Sequence, residues 1–221
     1  MGSAPFQAMS LDAARQGMTL LKNDGALLPF KAGQKVAVIG RAINDANSYT
    51  GNYDGPLCPK GGASCWPSLC AAAAAFSSAA PVCVETDTAQ AVAAAKAADV
   101  VVFLADNAKD GGGEGHDRDS IALAADQKAL ALAVLAANKN TALVLVNGGA
   151  ISVDELKDAA PAILEAWMPG VHGADAMAQT LFTGPNANNP GGKLPVTVYH
   201  SNYTAEVSMI DMDMSAGPGR S

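Results

Sequence analysis

The sequence predicts an α/β fold, a three-layer α/β/α sandwich on a mainly parallel sheet. Short β-branched runs such as Val36-Ala37-Val38-Ile39 and Val100-Val101-Val102-Phe103-Leu104 alternate along the chain with alanine-rich segments of helical length. That alternation is the signature of β-α units whose strands pair in parallel. The runs are continuously apolar, without the in-out alternation of a half-solvated strand, so each is expected to be covered on both faces. A chain of 221 residues with 49% hydrophobic side chains is long enough to bury one sizeable core, and one globular domain over residues 1–221 is expected.

Ser10 is read as an N-cap, with Leu11, Met18, Leu20 and Leu21 recurring at helical spacing until Asn23-Asp24-Gly25 stops the helix. Lys35 to Gly40 is the first strand, and residues 41–66 form a long polar loop with Gly51-Asn52-Tyr53-Asp54-Gly55-Pro56 at its centre. A helix over Pro67 to Phe76, a strand over Val82 to Val84, a helix over Thr88 to Ala98 and the strand Val100 to Leu104 follow. After a second glycine-rich loop, Ala105 to Asp119, come a helix over Ala125 to Ala137, the strand Ala142 to Val146, a turn at Asn147-Gly148-Gly149 and a short helix over Val153 to Asp158. The strand Ala162 to Ala166 and a helix over Gly173 to Phe182 complete the regular part, with one more strand-like piece at Leu194 to Tyr199. In a parallel sheet, function gathers in the loops beyond the carboxyl ends of the strands, where both long loops lie.

The formal net charge of -7 and the scattered Lys and Arg disfavour a phosphate-rich partner, so nucleic acid is not expected as a ligand. The longest apolar run, Ala129 to Ala137, is well short of the roughly 18 residues that cross a bilayer, and no membrane partner is expected. No basic segment followed by an apolar core marks the amino end as a secretion signal; a secreted parent protein would carry its signal upstream. Cysteines at 58, 65, 70 and 83 lack the Cys-x-x-Cys spacing of a zinc site, so no metal is expected. They are read either as one or two disulfides in an oxidising compartment or as thiols.

The chemistry-bearing segment is Asp106-Asn107-Ala108-Lys109-Asp110-Gly111-Gly112-Gly113-Glu114-Gly115-His116-Asp117-Arg118. A carboxyl group on a glycine-flanked loop can be placed over a sugar and desolvated, which raises its pKa toward general-acid duty. The alternative is a solvated loop glutamate. Nucleotide binding is disfavoured, because Val38-Ile39-Gly40-Arg41-Ala42 has one glycine where a dinucleotide fold needs Gly-x-Gly-x-x-Gly, and Gly111-Gly112-Gly113 has no Gly-Lys-Ser/Thr after it. No Gly-x-Ser-x-Gly elbow offers a serine nucleophile. No cofactor is expected.

The chain resembles the C-terminal α/β sandwich domain of glycoside hydrolase family 3. Glu114-Gly115-His116-Asp117-Arg118 resembles the Glu-Gly-x-Asp-Arg element of that family, and Asn189-Pro190-Gly191-Gly192-Lys193-Leu194-Pro195-Val196-Thr197 and Trp167-Met168-Pro169-Gly170 resemble further elements of it. Val207-Ser208-Met209-Ile210-Asp211-Met212-Asp213-Met214 is similar to the Met-x-Asp-Met-x-Met element of the plant and fungal β-xylosidase and α-L-arabinofuranosidase branch. The resemblance implies a retaining exo-β-glycosidase acting on terminal β-D-xylosides, as in xylan breakdown, with β-glucosides as the runner-up. A non-catalytic carbohydrate-binding or docking remnant, self-associating through the face a barrel would cover, is the reading from a different class.

By the same resemblance Glu114 is the acid/base candidate and Asp110 the second choice. Tyr53, Asp54, His116 and Asn147 are candidate substrate contacts, and Asp117 and Arg118 support the loop, paired with each other or with its backbone. For Tyr53 and Asp54 a tight turn is an equal reading, His116 is read more simply as solvated, and Trp167 is read as core before sugar platform. The implied partners are a carbohydrate substrate and an N-terminal (β/α)₈ barrel carrying the nucleophilic aspartate in a Ser/Thr-Asp-Trp setting, a tripeptide this chain lacks. Both ends of the chain look cut, and the parent enzyme is expected outside the cell or in the cell wall.

Overall fold

A computed structural model describes residues 3–51, 58, 65–107, 110, 115, 118–208, 210–213 and 215. Its centre is one six-stranded sheet. The strands are β1 (Thr19–Asn23), β2 (Val36–Ile39), β3 (Val82–Val84), β4 (Val100–Asp106), β5 (Thr141–Val146) and β6 (Ala162–Glu165), in the order β1-β6-β5-β4-β2-β3. All neighbours pair in parallel except β1 and β6, which are antiparallel. The predicted α/β class and mainly parallel sheet are therefore present.

Helices lie on both faces, as continuously apolar strands require. Alternate residues of the strands, among them Val38, Val102, Leu104, Val144 and Leu164, pack in one core with α1 (Ala4–Gly17), α2 (Leu69–Ala73) and α6 (Gly173–Leu181). The intervening residues, Ala37, Ile39, Phe103, Leu143 and Ile163, pack in a second core with α3 (Thr88–Ala97), α4 (Ala125–Ala137) and α5 (Leu156–Ala159). Two of the helices are capped by the polar residue ahead of them: Asp87 accepts from the Gln90 N–H and Ser68 from the Ala71 N–H.

Two element predictions are corrected. Thr19 to Asn23 is an edge strand and not the end of the first helix, which starts earlier, at Ala4 with Pro5 in its first turn, and ends at Gly17. Leu20 stands opposite Leu164 across a bulge, and this pairing with β6 outweighs the local helical spacing. Leu194 to Tyr199 is irregular, not a strand. Leu194 and Val196 are exposed there, and Pro195 withholds a ladder donor. A short helix, α7 (Tyr203–Glu206), follows.

The cysteines pair Cys58 with Cys65 and Cys70 with Cys83, the second bond joining α2 to β3.

The chain reverses its direction of travel across the sheet between β2 and β4: β3 is added on one side of β2 and β4 on the other. Such a reversal opens a crevice at the carboxyl ends of the two strands, because the connections leave toward opposite faces. Here α2, which follows β2, lies on one face and α4, which follows β4, on the other. Gly40-Arg41 and Asp106-Asn107 lie at this crevice.

Candidate functional site

Gly40 permits the turn out of β2. Its φ is +137°, and a Cβ there would sit 2.1 Å from the Leu104 carbonyl oxygen, so only glycine lets the two chains approach this closely. The turn delivers Arg41 to the crevice. Its Nε donates to Asp106 Oδ2 at 3.0 Å, its Nη1 to Asp110 Oδ1 at 2.8 Å and its Nη2 to Asp110 Oδ2 at 2.7 Å. Two parallel bonds to one carboxylate form the fork geometry that a guanidinium provides and an ammonium does not. Burial alone pulls the Arg41 pKa down, but Asp110 and Asp106 outweigh it and hold the guanidinium above its ordinary value. Asp106 is wholly buried and its carbonyl and N–H are both engaged by the Gln127 side chain, so the end of β4 is fixed from two directions.

Asp110, the second-choice acid/base residue, thus spends both oxygens on Arg41. That arrangement suits an anchor for the loop that starts there. At the loop's far end Arg118 Nη2 donates to the Ala150 carbonyl at 2.7 Å, beside the turn after β5. Asn107 and Asn147 both direct an Nδ2 to the Gly149 carbonyl, at 3.3 and 3.1 Å. The loop of residues 107–118 is therefore tied at its start to β2 and at both ends to the turn 147–150. Asn147 is buried, and its Oδ1 has no hydrogen-bond partner among the described residues, which leaves an acceptor at the sheet edge. Glu114, His116, Asp117, Tyr53 and Asp54 lie outside the described residues.

The next strand end carries a feature the sequence reading passed over. Glu165, the last residue of β6, is 3% exposed, and its Oε1 accepts from the Trp167 N–H at 2.9 Å. Burial pushes its pKa up to about 7, against the opposing pull of the Trp167 N–H and the Asn147 side chain. Trp167 is half-buried at the edge and not in either core, with φ +59°, a left-handed conformation that is rare for a bulky residue. It is held there from both sides, since its carbonyl also accepts from the Asn147 N–H at 3.0 Å. Its neighbour Met168 lies over the same turn, where a Cβ on Gly148 would meet its methyl at 2.8 Å.

In the segment that follows β2, Tyr49 is fully buried. Its hydroxyl donates to the Ala42 carbonyl at 3.1 Å and accepts from the Leu69 N–H at 3.3 Å, pinning a 3-10 turn over Ala46–Tyr49 to the start of α2.

Sequence reasoning named Asp110, Arg118 and Asn147 separately as site candidates, and the structure brings them to one edge of the sheet. It gave no role to Arg41 or Glu165, nor to Asp106 and Asn107 within the loop segment it singled out. A visible signal existed for each charged one: Arg41 follows an apolar strand immediately, and Asp106 and Glu165 are lone acids at the ends of apolar runs. A charge in such a place is rare unless it is paired or used.

The sequence and the fold match known proteins. The model of the glycosyl hydrolase family 3 C-terminal domain matches residues 18–216. A probable β-D-xylosidase 6 from Arabidopsis thaliana is 34% identical over 99% of this chain and 28% of its own length. An exo-α-(1→6)-L-arabinopyranosidase from Bifidobacterium longum is 33% identical over 84% of this chain and 26% of its own. Among solved structures, a family 3 exo-β-xylosidase in complex with a xylobiose aziridine probe superposes with a TM-score of 0.84 and 25% identity, over 97% of this chain and 28% of that one. A family 3 β-glucosidase from Bifidobacterium adolescentis gives 0.66 and 29% over 82% of this chain and 27% of that one. The chain spans little more than a quarter of the length of these relatives. It belongs to the glycoside hydrolase family 3 C-terminal domain family.

Proposed function

We propose that residues 1–221 act as the sugar-facing C-terminal domain of a retaining exo-β-glycosidase that removes terminal β-D-xylosyl units, as in xylan breakdown, and that Glu114 is its acid/base residue. The observation that carries this reading is the way the loop bearing Glu-Gly-His-Asp-Arg is fastened. Arg41 holds Asp110 where the loop begins, and Arg118 and Asn107 hold its ends to the turn 147–150 at the sheet's carboxyl edge.

The nucleophile is an aspartate of a (β/α)₈ barrel in the parent enzyme. It attacks the anomeric carbon while Glu114 protonates the departing oxygen. Glu114 then takes a proton from the water that releases the sugar, the two carboxyl groups standing about 5 Å apart. Asn147 contributes a buried acceptor beside the reacting pair, and Tyr53, Asp54 and His116 contact the sugar.

Xylosides are favoured over glucosides by the more complete likeness to the exo-β-xylosidase, at 97% of the chain against 82% for the β-glucosidase. The parent enzyme works outside the cell or in the cell wall, a setting supported by two disulfides. Joining this chain to a family 3 barrel and comparing kcat/KM for aryl β-D-xyloside and aryl β-D-glucoside tests the substrate; a preference for the glucoside contradicts it. The chain alone is expected to hydrolyse neither, for want of a nucleophile.

A further inference from the structure

A cavity of about 350 Å³ lies away from the β2/β4 crevice, on the sheet face that carries α3, α4 and α5. Helix α5 is only Leu156–Ala159, and the irregular segment 194–200 crosses the remainder of that face as a strap. The walls are apolar: Leu21, Leu145, Ile151, Ile163, Leu194 and Val198. The volume is at the lower end of the range for small-molecule sites, which are typically apolar with a few fixed polar groups.

Most polar side chains at this cavity are already engaged. Lys22 Nζ donates to the Lys157 carbonyl at 2.8 Å and pairs with Asp24 at 3.2 Å. Asp154 Oδ1 accepts from Ser152 Oγ at 2.6 Å and from the Ser201 N–H at 3.0 Å. Tyr199 stacks on Tyr203 with ring centroids 4.0 Å apart, His200 faces Glu206 from solvent, and Lys157 is exposed at the rim. Glu165 differs from all of these. It is buried, lines the cavity, and forms no ion pair among the described residues.

A buried carboxyl without a cation is costly to ionise, and two neutral donors do not offset that cost. A cation delivered on an apolar body would offset it, because the ligand buries its hydrocarbon against the leucines and isoleucines while its charge meets the carboxylate. We propose that this cavity is a binding site for a small molecule with a compact hydrocarbon body and one protonated amine, anchored by an ion pair with Glu165. The cavity opens on the sheet face below the strand end, and its test reads binding alone, so it stands or falls separately from the glycosidase reading. Docking of the amine favours the charged carboxylate, so binding near neutral pH releases protons to the buffer.

Calorimetric titration of the 221-residue chain with cyclohexylamine and, separately, cyclohexanol at pH 7 tests this, with methyl NMR of Ile151 and Ile163 locating the ligand. Run in two buffers of different ionisation enthalpy, it also counts protons. The expected result is saturable amine binding with proton release, at least about tenfold tighter than the alcohol. Glu165→Gln removes that advantage while leaving alcohol binding unchanged. Leu194→Trp, which fills the cavity from the strap and leaves the carboxyl in place, weakens both. Equal affinity for amine and alcohol, an unchanged amine affinity in Glu165→Gln, absence of saturation, or unmoved Ile151 and Ile163 methyls would each overturn the proposal.

Discussion

Arg41 and Asp110, 69 positions apart in sequence, meet through two parallel hydrogen bonds of 2.8 and 2.7 Å. The same guanidinium holds Asp106, so one side chain joins the turn after β2, the end of β4 and the start of the candidate loop.

Replacing Arg41 by Met removes the guanidinium that binds both the wholly buried Asp106 and Asp110. Breaking a buried pair from one side costs about 3 kcal/mol or more. Urea denaturation of Arg41→Met is expected to show a loss of that size. Arg41→Lys, which keeps the charge without the fork, is expected to recover only part of it. Equal stability of Arg41→Met and the parent would show that the fork contributes nothing.

Gly40→Ala places a Cβ against the Leu104 carbonyl at a backbone angle unsuited to side chains. The clash is with backbone on a central strand, which has no room to give, and a loss of at least about 3 kcal/mol is expected in thermal or chemical unfolding. A change below about 1 kcal/mol would contradict the close approach of β2 and β4.

Tyr49→Phe removes only a hydroxyl, but leaves the Ala42 carbonyl and the Leu69 N–H without their shared partner. A loss of about 1–3 kcal/mol follows for unsatisfied buried groups. Amide exchange should quicken at Leu69 more than in the distant β6, and uniform quickening would argue against a local tie.

Glu165 sets a pH dependence whose sign is fixed by its raised pKa of about 7. The folded state holds a proton that the unfolded chain, with an ordinary glutamate near 4.3, has already released. The stabilising contribution is complete below the unfolded value, falls as pH rises toward 7, and is gone above it. Relative to Glu165→Gln, the parent should therefore lose Tm between pH 5 and pH 8, by an amount corresponding to about 1–3 kcal/mol. A Tm difference that stays flat across this range would mean the carboxyl is not buried in the folded protein.

These residues also show what could be read in advance. The parallel strands around Val38, Val102, Val144 and Leu164 were legible because a strand covered on both faces is apolar throughout and rich in β-branched residues, which the equally apolar helix α2, Leu-Cys-Ala-Ala-Ala, lacks. The edge strand Thr19–Asn23 was not, since Leu20 and Leu21 fit a helical spacing with Leu11 and Met18 and only β6 makes them a strand. Leu194 to Tyr199 misled in the opposite way: its alternation suits a strand, but it crosses the sheet face as a strap without pairing. At the site, the loop of residues 105–119 was visible through its glycines and acids. Arg41 was not recognised as its anchor, because a side chain's partner 65 or 69 positions away leaves no local trace. Glu165 was hidden by the strand around it, though a lone acid in an apolar run is itself a signal.

The central claim is that this domain contributes one carboxyl group, Glu114, to a reaction whose other carboxyl is on a barrel. Its most direct test is the turnover of an aryl β-D-xyloside by the chain joined to such a barrel, with Glu114 or Ala at position 114, in the absence and presence of azide. A fall in kcat of about a hundredfold or more for Glu114→Ala is predicted, with partial recovery and a glycosyl azide product on adding azide. An unchanged rate, or a loss that azide does not relieve, would contradict it.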